Sequence, residues 1–139
     1  MNIERHVIEA MLAAARKAAP LEACGLCGGR DGRVSRFYEL ANADASREHY
    51  RMLPAEQFAA VKDMRARGLG LLAIWHSHPE TPARMSEEDL RLAYTTDTVY
   101  VITSLAAPDA PDVKGFRVLE GCVEVVPVEI VETEGTGES

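Results

Sequence analysis

Residues 69–89 read LGLLAIWHSHPETPARMSEED, and the fold prediction starts from this segment. Its first seven residues are apolar except for Gly70, which is typical of a central strand buried on both faces. A loop with two prolines follows, and residues 86–95 have the apolar spacing of a helix. The order strand, loop and helix predicts an α/β unit with polar residues just past the end of the strand.

Elements on both sides of this stretch complete a layered arrangement. Apolar residues at steps of three and four predict a helix over residues 3–18, which Asn2 can cap and Pro20 ends. The other predicted elements are strands at 23–28, 33–40 and 49–52, a helix at 54–67, and strands at 99–103, 113–119 and 123–130. Pro127 should place the last strand at an edge or a bulge. The sequence therefore predicts an α/β protein, a three-layer α-β-α sandwich with a mixed central sheet.

Length and charge limit the possible partners. The 139 residues suit one domain, expected over residues 1–131, with a polar and disordered tail at 132–139. The net charge of -7 argues against non-specific binding to nucleic acid or to an anionic membrane, because phosphates would be repelled. No segment has the roughly 20 apolar residues of a spanning helix. The start of the chain is too polar for a signal peptide, so a cytoplasmic location is expected.

Two histidines and one aspartate have the spacing of a metal site. His76 and His78 are two residues apart on an extended segment, so both imidazoles point to one side. Zn²⁺ needs such convergence, and Asp89 in the next helix offers a third ligand. This set leaves a fourth position for water, as in catalytic zinc sites. A lone His-x-His pair is a weak signal, however, and Ser86 with Asp89 also resembles a helix capping box.

The joint spacing from His76 to Asp89 resembles the signature of the JAMM, or MPN-plus, metallopeptidases. That pattern is His-x-His-Pro followed by Ser-x-x-Asp, with ten residues between the second histidine and the aspartate, as in this chain. The pattern also includes a glutamate well upstream, and the segment that starts at Glu22 matches its Glu-x-x-Gly. Asn42 and Tyr50 fall where bacterial members carry similar residues.

The resemblance covers roughly residues 3–130 and implies the MPN fold, which is related in outline to that of cytidine deaminases. It implies that the two histidines and the aspartate bind Zn²⁺ and that the reaction is hydrolysis of an amide or isopeptide bond. Glu22 would be the general base, and Ser86 would donate a hydrogen bond to the oxyanion. Met85 stands where many members carry proline, which affects the loop and removes no ligand.

Stand-alone prokaryotic members of this size resemble enzymes that act on ubiquitin-like sulfur-carrier proteins. The resemblance implies cleavage after the Gly-Gly tail of such a carrier, which releases either a peptide or a single amino acid such as cysteine. Two alternatives remain open, a non-catalytic MPN scaffold and a zinc deaminase. A deaminase needs His-x-Glu and Pro-Cys-x-x-Cys, whereas Cys24 follows Ala23 here. Cys24 and Cys27 are expected to be buried on opposite sides of a strand.

Overall fold

The computed structural model describes residues 1–91, 93 and 98–133. This part of the chain contains eight strands and three helices. In chain order they are β1 (Asn2–Glu4), α1 (Arg5–Ala18), β2 (Cys24–Arg30), β3 (Arg33–Leu40), α2 (Pro54–Ala66), β4 (Gly70–His78), α3 (Glu87–Arg91), β5 (Val99–Ser104), β6 (Asp112–Leu119), β7 (Cys122–Val126) and β8 (Glu129–Val131). Both longer helices and most strands lie within a few residues of their predicted positions.

The strands form one mixed sheet in the order β7-β6-β5-β4-β2-β3-β1-β8. β4 runs parallel to β5, and β1 runs parallel to both of its neighbours, whereas the other pairs are antiparallel. β7 and β8 occupy opposite edges although only Pro127 and Val128 separate them in the chain. A side chain at Gly115 of β6 would meet both Val126 and Val128. The sheet therefore curls until its two edges approach each other.

The two longer helices pack on opposite faces of this sheet. α1 contributes Val7 and Met11 to a buried cluster that also contains Trp75 of β4. α2 contributes Met64 to a second cluster, against which the neighbouring β4 residue Ile74 packs. Because successive residues of a strand point to opposite faces, β4 supplies both clusters in alternation. The predicted three-layer α-β-α sandwich with a mixed sheet is confirmed.

The N-terminus differs from the prediction, because the first residues form β1 and not the start of a helix. α1 begins at Arg5, and Asn2, which was expected to cap the helix, lies in the strand. Ile3 fits the helical spacing, yet it pairs with Val34 of β3 and Ile130 of β8. Both partners are distant in the sequence, so local periodicity could not reveal them.

Two predicted strands are also corrected. The strand expected over residues 123–130 is divided into β7 and β8, because the chain leaves one edge of the sheet at Pro127 and joins the other. Proline cannot donate a ladder hydrogen bond, which favours such a break. Residues 49–52 are not a strand but part of the loop between β3 and α2. Met52 is apolar because it is buried against α2, and not because it belongs to a sheet.

Some predictions extend beyond the described residues. α3 agrees with the start of the helix predicted over residues 86–95, but residues 92 and 94–97 lie outside the described part. The predicted tail at 132–139 is described only as far as Thr133, so the domain boundary at residue 131 stays a prediction. Within the described residues, no helix is long and apolar enough to cross a membrane.

Candidate metal centre

The structure brings the three predicted metal ligands together at the end of the central strand β4. Nε2 of His76 lies 3.2 Å from Nε2 of His78, since alternate residues of β4 share one face of the sheet. The Asp89 carboxylate, in the first turn of α3, reaches both rings. Its Oδ1 is 3.1 Å from His76 Nε2, and its Oδ2 is 3.0 Å from His78 Nε2. All three side chains are buried.

These separations fit a zinc ion. Ligand atoms about 2.0–2.1 Å from Zn²⁺ at tetrahedral angles lie roughly 3.3 Å apart, close to the 3.0–3.2 Å observed. Burial lowers the pKa of His76, which keeps its imidazole neutral as a ligand must be. Burial alone would raise the pKa of Asp89, but hydrogen bonds with His76 and His78 outweigh it and hold that pKa below its usual value. The same carboxylate and the Pro82 carbonyl raise the pKa of His78 against the effect of burial, so a metal ion would have to displace a proton there. The donor set therefore has the spacing that zinc requires.

A backbone carbonyl orients His78. Its Nδ1 donates a hydrogen bond to the carbonyl oxygen of Pro82 at 2.8 Å, so in the neutral ring Nε2 is the nitrogen that can bind a metal. His76 Nδ1 has no partner among the described residues. Its ring instead stacks on Tyr50, with centroids 4.8 Å apart and an interplanar angle of 28°. One ligand is thus positioned by a hydrogen bond and the other by an aromatic contact.

The structure also contains the helix capping box of Ser86 and Asp89, which the sequence offered as an alternative to a metal site. Ser86 Oγ accepts the Asp89 N–H at 3.0 Å, and the Ser86 N–H donates to Asp89 Oδ2 at 2.9 Å. This capping box aims the carboxylate at the histidines, so the two interpretations are compatible. No acceptor for the Ser86 hydroxyl hydrogen is found among the described residues, and the side chain lines the cleft beside the metal centre.

Glu22 is buried next to this cleft, just before β2. Only 4% of the residue is exposed, and its Oε1 has no hydrogen-bond partner among the described residues. Burial raises the pKa of its carboxyl to about 8, while His78 opposes this shift and Asp89 and Glu48 add smaller contributions to it. A cation bound nearby would lower the pKa of Glu22. A buried carboxyl with an unpaired oxygen, beside a cleft, is suited to proton transfer.

Steric crowding explains why the Glu-x-x-Gly segment has glycine at position 25. A Cβ at Gly25 would overlap the carbonyl oxygen of Tyr38 on β3, and it would lie 3.0 Å from the Phe37 ring. Only glycine lets β2 approach β3 this closely. The motif therefore places Glu22 by fixing the strand that follows it.

The cleft itself has a volume of about 640 Å³ and is walled by two loops. One loop provides Pro82 and Met85, and the other provides Arg47, Glu48 and His49. Spacing along the sequence gave no reason to expect Arg47, Glu48 and His49 at the cleft, because the loop between β3 and α2 is distant in sequence from the ligands. The side chain of Met85, which replaces the family's proline, also packs against the buried cluster of Ala83, Ile102 and Phe116.

The two cysteines of the Cys-x-x-Cys pair face opposite sides, as predicted. Cys24 belongs to the cluster under α2, and Cys27 belongs to the cluster under α1. Burial raises the pKa of each thiol to about 12, so neither forms a thiolate at neutral pH. The group that could hold a metal among the described residues contains no cysteine. The ligand set of a zinc deaminase is therefore not formed by this pair.

Comparisons with known proteins agree with this site. The family model described as prokaryotic homologs of the JAB domain matches residues 4–118. The CysO-cysteine peptidase of Mycobacterium tuberculosis is 34% identical over 132 residues, which are 94% of this chain and 90% of that protein.

Two solved structures resemble the chain over nearly its whole length. The solution structure of a Desulfitobacterium hafniense protein is 47% identical, with a TM-score of 0.89, and covers 96% of this chain and 94% of its own. A structure described as JAMM, a metalloprotease-like zinc site in the proteasome and signalosome, is 25% identical, with a TM-score of 0.62. It covers 95% of this chain and 98% of its own. The JAMM/MPN resemblance and its fold are thereby confirmed.

Proposed function

The chain belongs to the family of prokaryotic JAB-domain homologs, and we propose on this premise that it is a zinc-dependent metallopeptidase. Its substrate is a ubiquitin-like or sulfur-carrier protein, and it hydrolyses the peptide or isopeptide bond after the C-terminal Gly-Gly tail. The relative in M. tuberculosis is named for cleavage of CysO-cysteine, which supports a substrate of this class.

One observation carries the proposal. The ligand atoms of His76, His78 and Asp89 lie within 4.8 Å of one another, all three residues are buried, and a cleft opens beside them. Two histidines and one carboxylate leave room for a further ligand, which distinguishes a catalytic zinc site from a structural one. Zn²⁺ bound there would acidify water and polarise the scissile carbonyl group.

The residues around the ligands supply the proton and hydrogen-bond chemistry. Glu22 takes a proton from the attacking water and gives it to the leaving amine, because it lines the same cleft and its Oε1 has no hydrogen-bond partner among the described residues. Ser86 donates its hydroxyl hydrogen to the oxyanion that forms on the carbonyl. Its Oγ can do so while it accepts the Asp89 N–H, since accepting and donating use different parts of a hydroxyl group.

The shape of the cleft supports a glycine-ended substrate. A peptide tail has to pass between the loop of Pro82 and Met85 and the loop of Arg47 and His49 to reach the ligands. Glycine has no Cβ and needs the least width, so a Gly-Gly tail can lie extended in this space. We expect carriers with Leu-Leu in place of Gly-Gly to be cleaved much more slowly.

A peptidase assay on carrier proteins with C-terminal extensions tests this function. We expect wild type to release the extension after Gly-Gly, as measured by mass spectrometry. Glu22→Gln should lose about 10²–10⁴-fold in kcat and retain stoichiometric zinc. The matched control is Glu9→Gln, the same chemical change at an exposed position of α1. Purification without zinc and without turnover would instead support the scaffold alternative.

We also propose a cytoplasmic location. The three cysteines are free, and the exposed Cys122 forms no disulfide. Free thiols are typical of reducing compartments. A fusion that reports on its compartment in the native host would check this.

A further inference from the structure

The loop between β3 and α2 is organised by one side chain, Asn42. Within residues 42–51, called here the 42–51 loop, Asn42 Oδ1 accepts two backbone N–H groups at 3.1 Å each. Its Nδ2 donates to the carbonyl oxygen of His49 at 3.0 Å and to that of Glu22 at 3.1 Å. Three of the four bonds close the loop upon itself, and the fourth fastens it to Glu22.

A second hydrogen bond joins the same two parts of the chain. The backbone N–H of Glu22 donates to the carbonyl oxygen of Ser46 at 2.8 Å. β2 begins only at Cys24, so the sheet ladder does not hold the backbone of Glu22. Among the hydrogen bonds of the described residues, the 42–51 loop thus fixes both backbone polar groups of this residue.

The loop is also tied to the metal centre and to the cleft. Tyr50 stacks on the ligand His76, and Arg47 lines the cleft that contains Glu22. Ala45 has a φ of 44°, in the left-handed region that a residue with a side chain adopts only when its surroundings impose it. The loop is therefore joined both to the metal centre and to the cleft.

From these contacts we propose that Asn42 is a positioning residue for the hydrolysis. Its side-chain amide fixes the position of the Glu22 backbone, and the backbone position determines how far the Glu22 carboxyl group extends into the cleft. The inference rests on the proposed function, in which Glu22 moves the proton.

The geometry of proton transfer explains why this position matters. A general base has to lie about 2.6–3.2 Å from the atom whose proton it takes, and a misplacement of about 1 Å can cost about 10²-fold in rate. Glu22 Oε1 has no hydrogen-bond partner among the described residues, so little besides the backbone and packing fixes that oxygen. A displacement of the Glu22 backbone would then displace the carboxyl oxygen from the atom whose proton it takes.

Asn42→Asp tests the proposal with little change in size. The substitution replaces the Nδ2 donor by an oxygen, so both bonds to carbonyl groups are lost while the two bonds to Oδ1 can remain. Arg51→Ala is the matched control in the same loop, because the hydrogen bond that its side chain makes among the described residues goes to Asp44 and not to Glu22. Asn42→Ala serves as the second variant if Asn42→Asp does not fold.

We expect Asn42→Asp to lower kcat about 10–100-fold with little change in KM and with zinc still stoichiometric. Arg51→Ala should keep kcat within about twofold of wild type, since it removes an exposed ion pair. A second measurement does not use activity. In zinc-free protein, the backbone amide of Glu22 should exchange with deuterium faster in Asn42→Asp than in wild type or Arg51→Ala.

Wild-type kcat in Asn42→Asp, an equal loss in Arg51→Ala, or unfolding of both Asn42 variants would overturn the proposal. A wild-type protein that cleaves no carrier would refute the proposed function separately. In that event the exchange of the Glu22 amide still decides whether Asn42 holds this backbone, and unaltered exchange would overturn the inference.

Discussion

Replacing Ser86 by alanine separates two roles of one hydroxyl group. Ser86 Oγ caps α3 by accepting the Asp89 N–H at 3.0 Å, and it lines the cleft beside the ligands. Loss of a helix cap costs about 1 kcal/mol, which lowers Tm by roughly 3–5 °C in a chain of this size. A domain with a stability of about 5–15 kcal/mol remains almost fully folded after that loss. Capping alone would therefore leave kcat nearly unchanged.

The oxyanion role has a much larger kinetic effect. Removal of one oxyanion donor typically lowers kcat by about 10²–10³, or roughly 2.7–4 kcal/mol of transition-state stabilisation. We expect Ser86→Ala to show both effects, a modest fall in Tm and this large fall in kcat. The zinc content should stay at one per chain, because the Ser86 backbone N–H still orients Asp89 at 2.9 Å.

Steady-state kinetics, thermal unfolding and zinc analysis on the same samples check the prediction. Ser86→Thr is the control, since it keeps a hydroxyl group for both capping and donation. A Ser86→Ala protein with kcat within about threefold of wild type would refute the oxyanion role, whatever its Tm. A fall in kcat that follows zinc loss would assign the hydroxyl to metal retention instead.

Two further predictions concern folding. Gly25→Ala should lower the free energy of unfolding by about 1–3 kcal/mol, as measured by thermal unfolding, because its Cβ would overlap the Tyr38 carbonyl oxygen. Gly70→Ala is the control and should be nearly neutral, since a Cβ there would meet no atom within 4 Å. Equal losses of stability in the two variants would contradict the steric explanation. The pKa of Glu4 is lowered, because hydrogen bonds from Arg33 and His6 outweigh the opposing effect of burial. A carboxyl with a depressed folded-state pKa stabilises the fold above its unfolded value of about 4.3 and loses this contribution as pH falls through the folded value. In urea, Glu4→Gln should thus cost about 1–3 kcal/mol at neutral pH and clearly less in acid, and a cost independent of pH would contradict the ion-pair explanation.

Local patterns predict the parts of this fold whose partners are close in sequence. β4 is predicted because its apolar run needs no knowledge of its neighbours, and α2 because Pro54 and Gly68 bracket it. β1 was missed because three residues are too few to show the alternating pattern of a strand, and this strand is defined by its pairing with β3 and β8. The division at Pro127 was missed for the same reason, since the curl of the sheet is a property of the whole chain.

The candidate site shows the same limit. The ligand set could be predicted because its spacing along the chain encodes strand, loop and helix turn. The position of Glu22 could not, because both backbone polar groups of this residue are hydrogen-bonded to the 42–51 loop. The stacking of Tyr50 on His76 likewise joins segments that only the folded sheet brings together. The sequence therefore predicts which groups come together, and tertiary contacts determine how firmly they are held.

The acceptor that orients His78 is a main-chain oxygen, that of Pro82. Every amino acid at that position offers the same oxygen, so no side-chain replacement there deletes the acceptor itself. Exposed residues between His78 and Ser86, such as Thr81 and Arg84, can then be exchanged to fit a different carrier while the imidazole keeps its tautomer. We therefore expect replacements in this loop to alter the fit of a carrier without releasing the metal, which makes it a suitable place to redirect the enzyme by design.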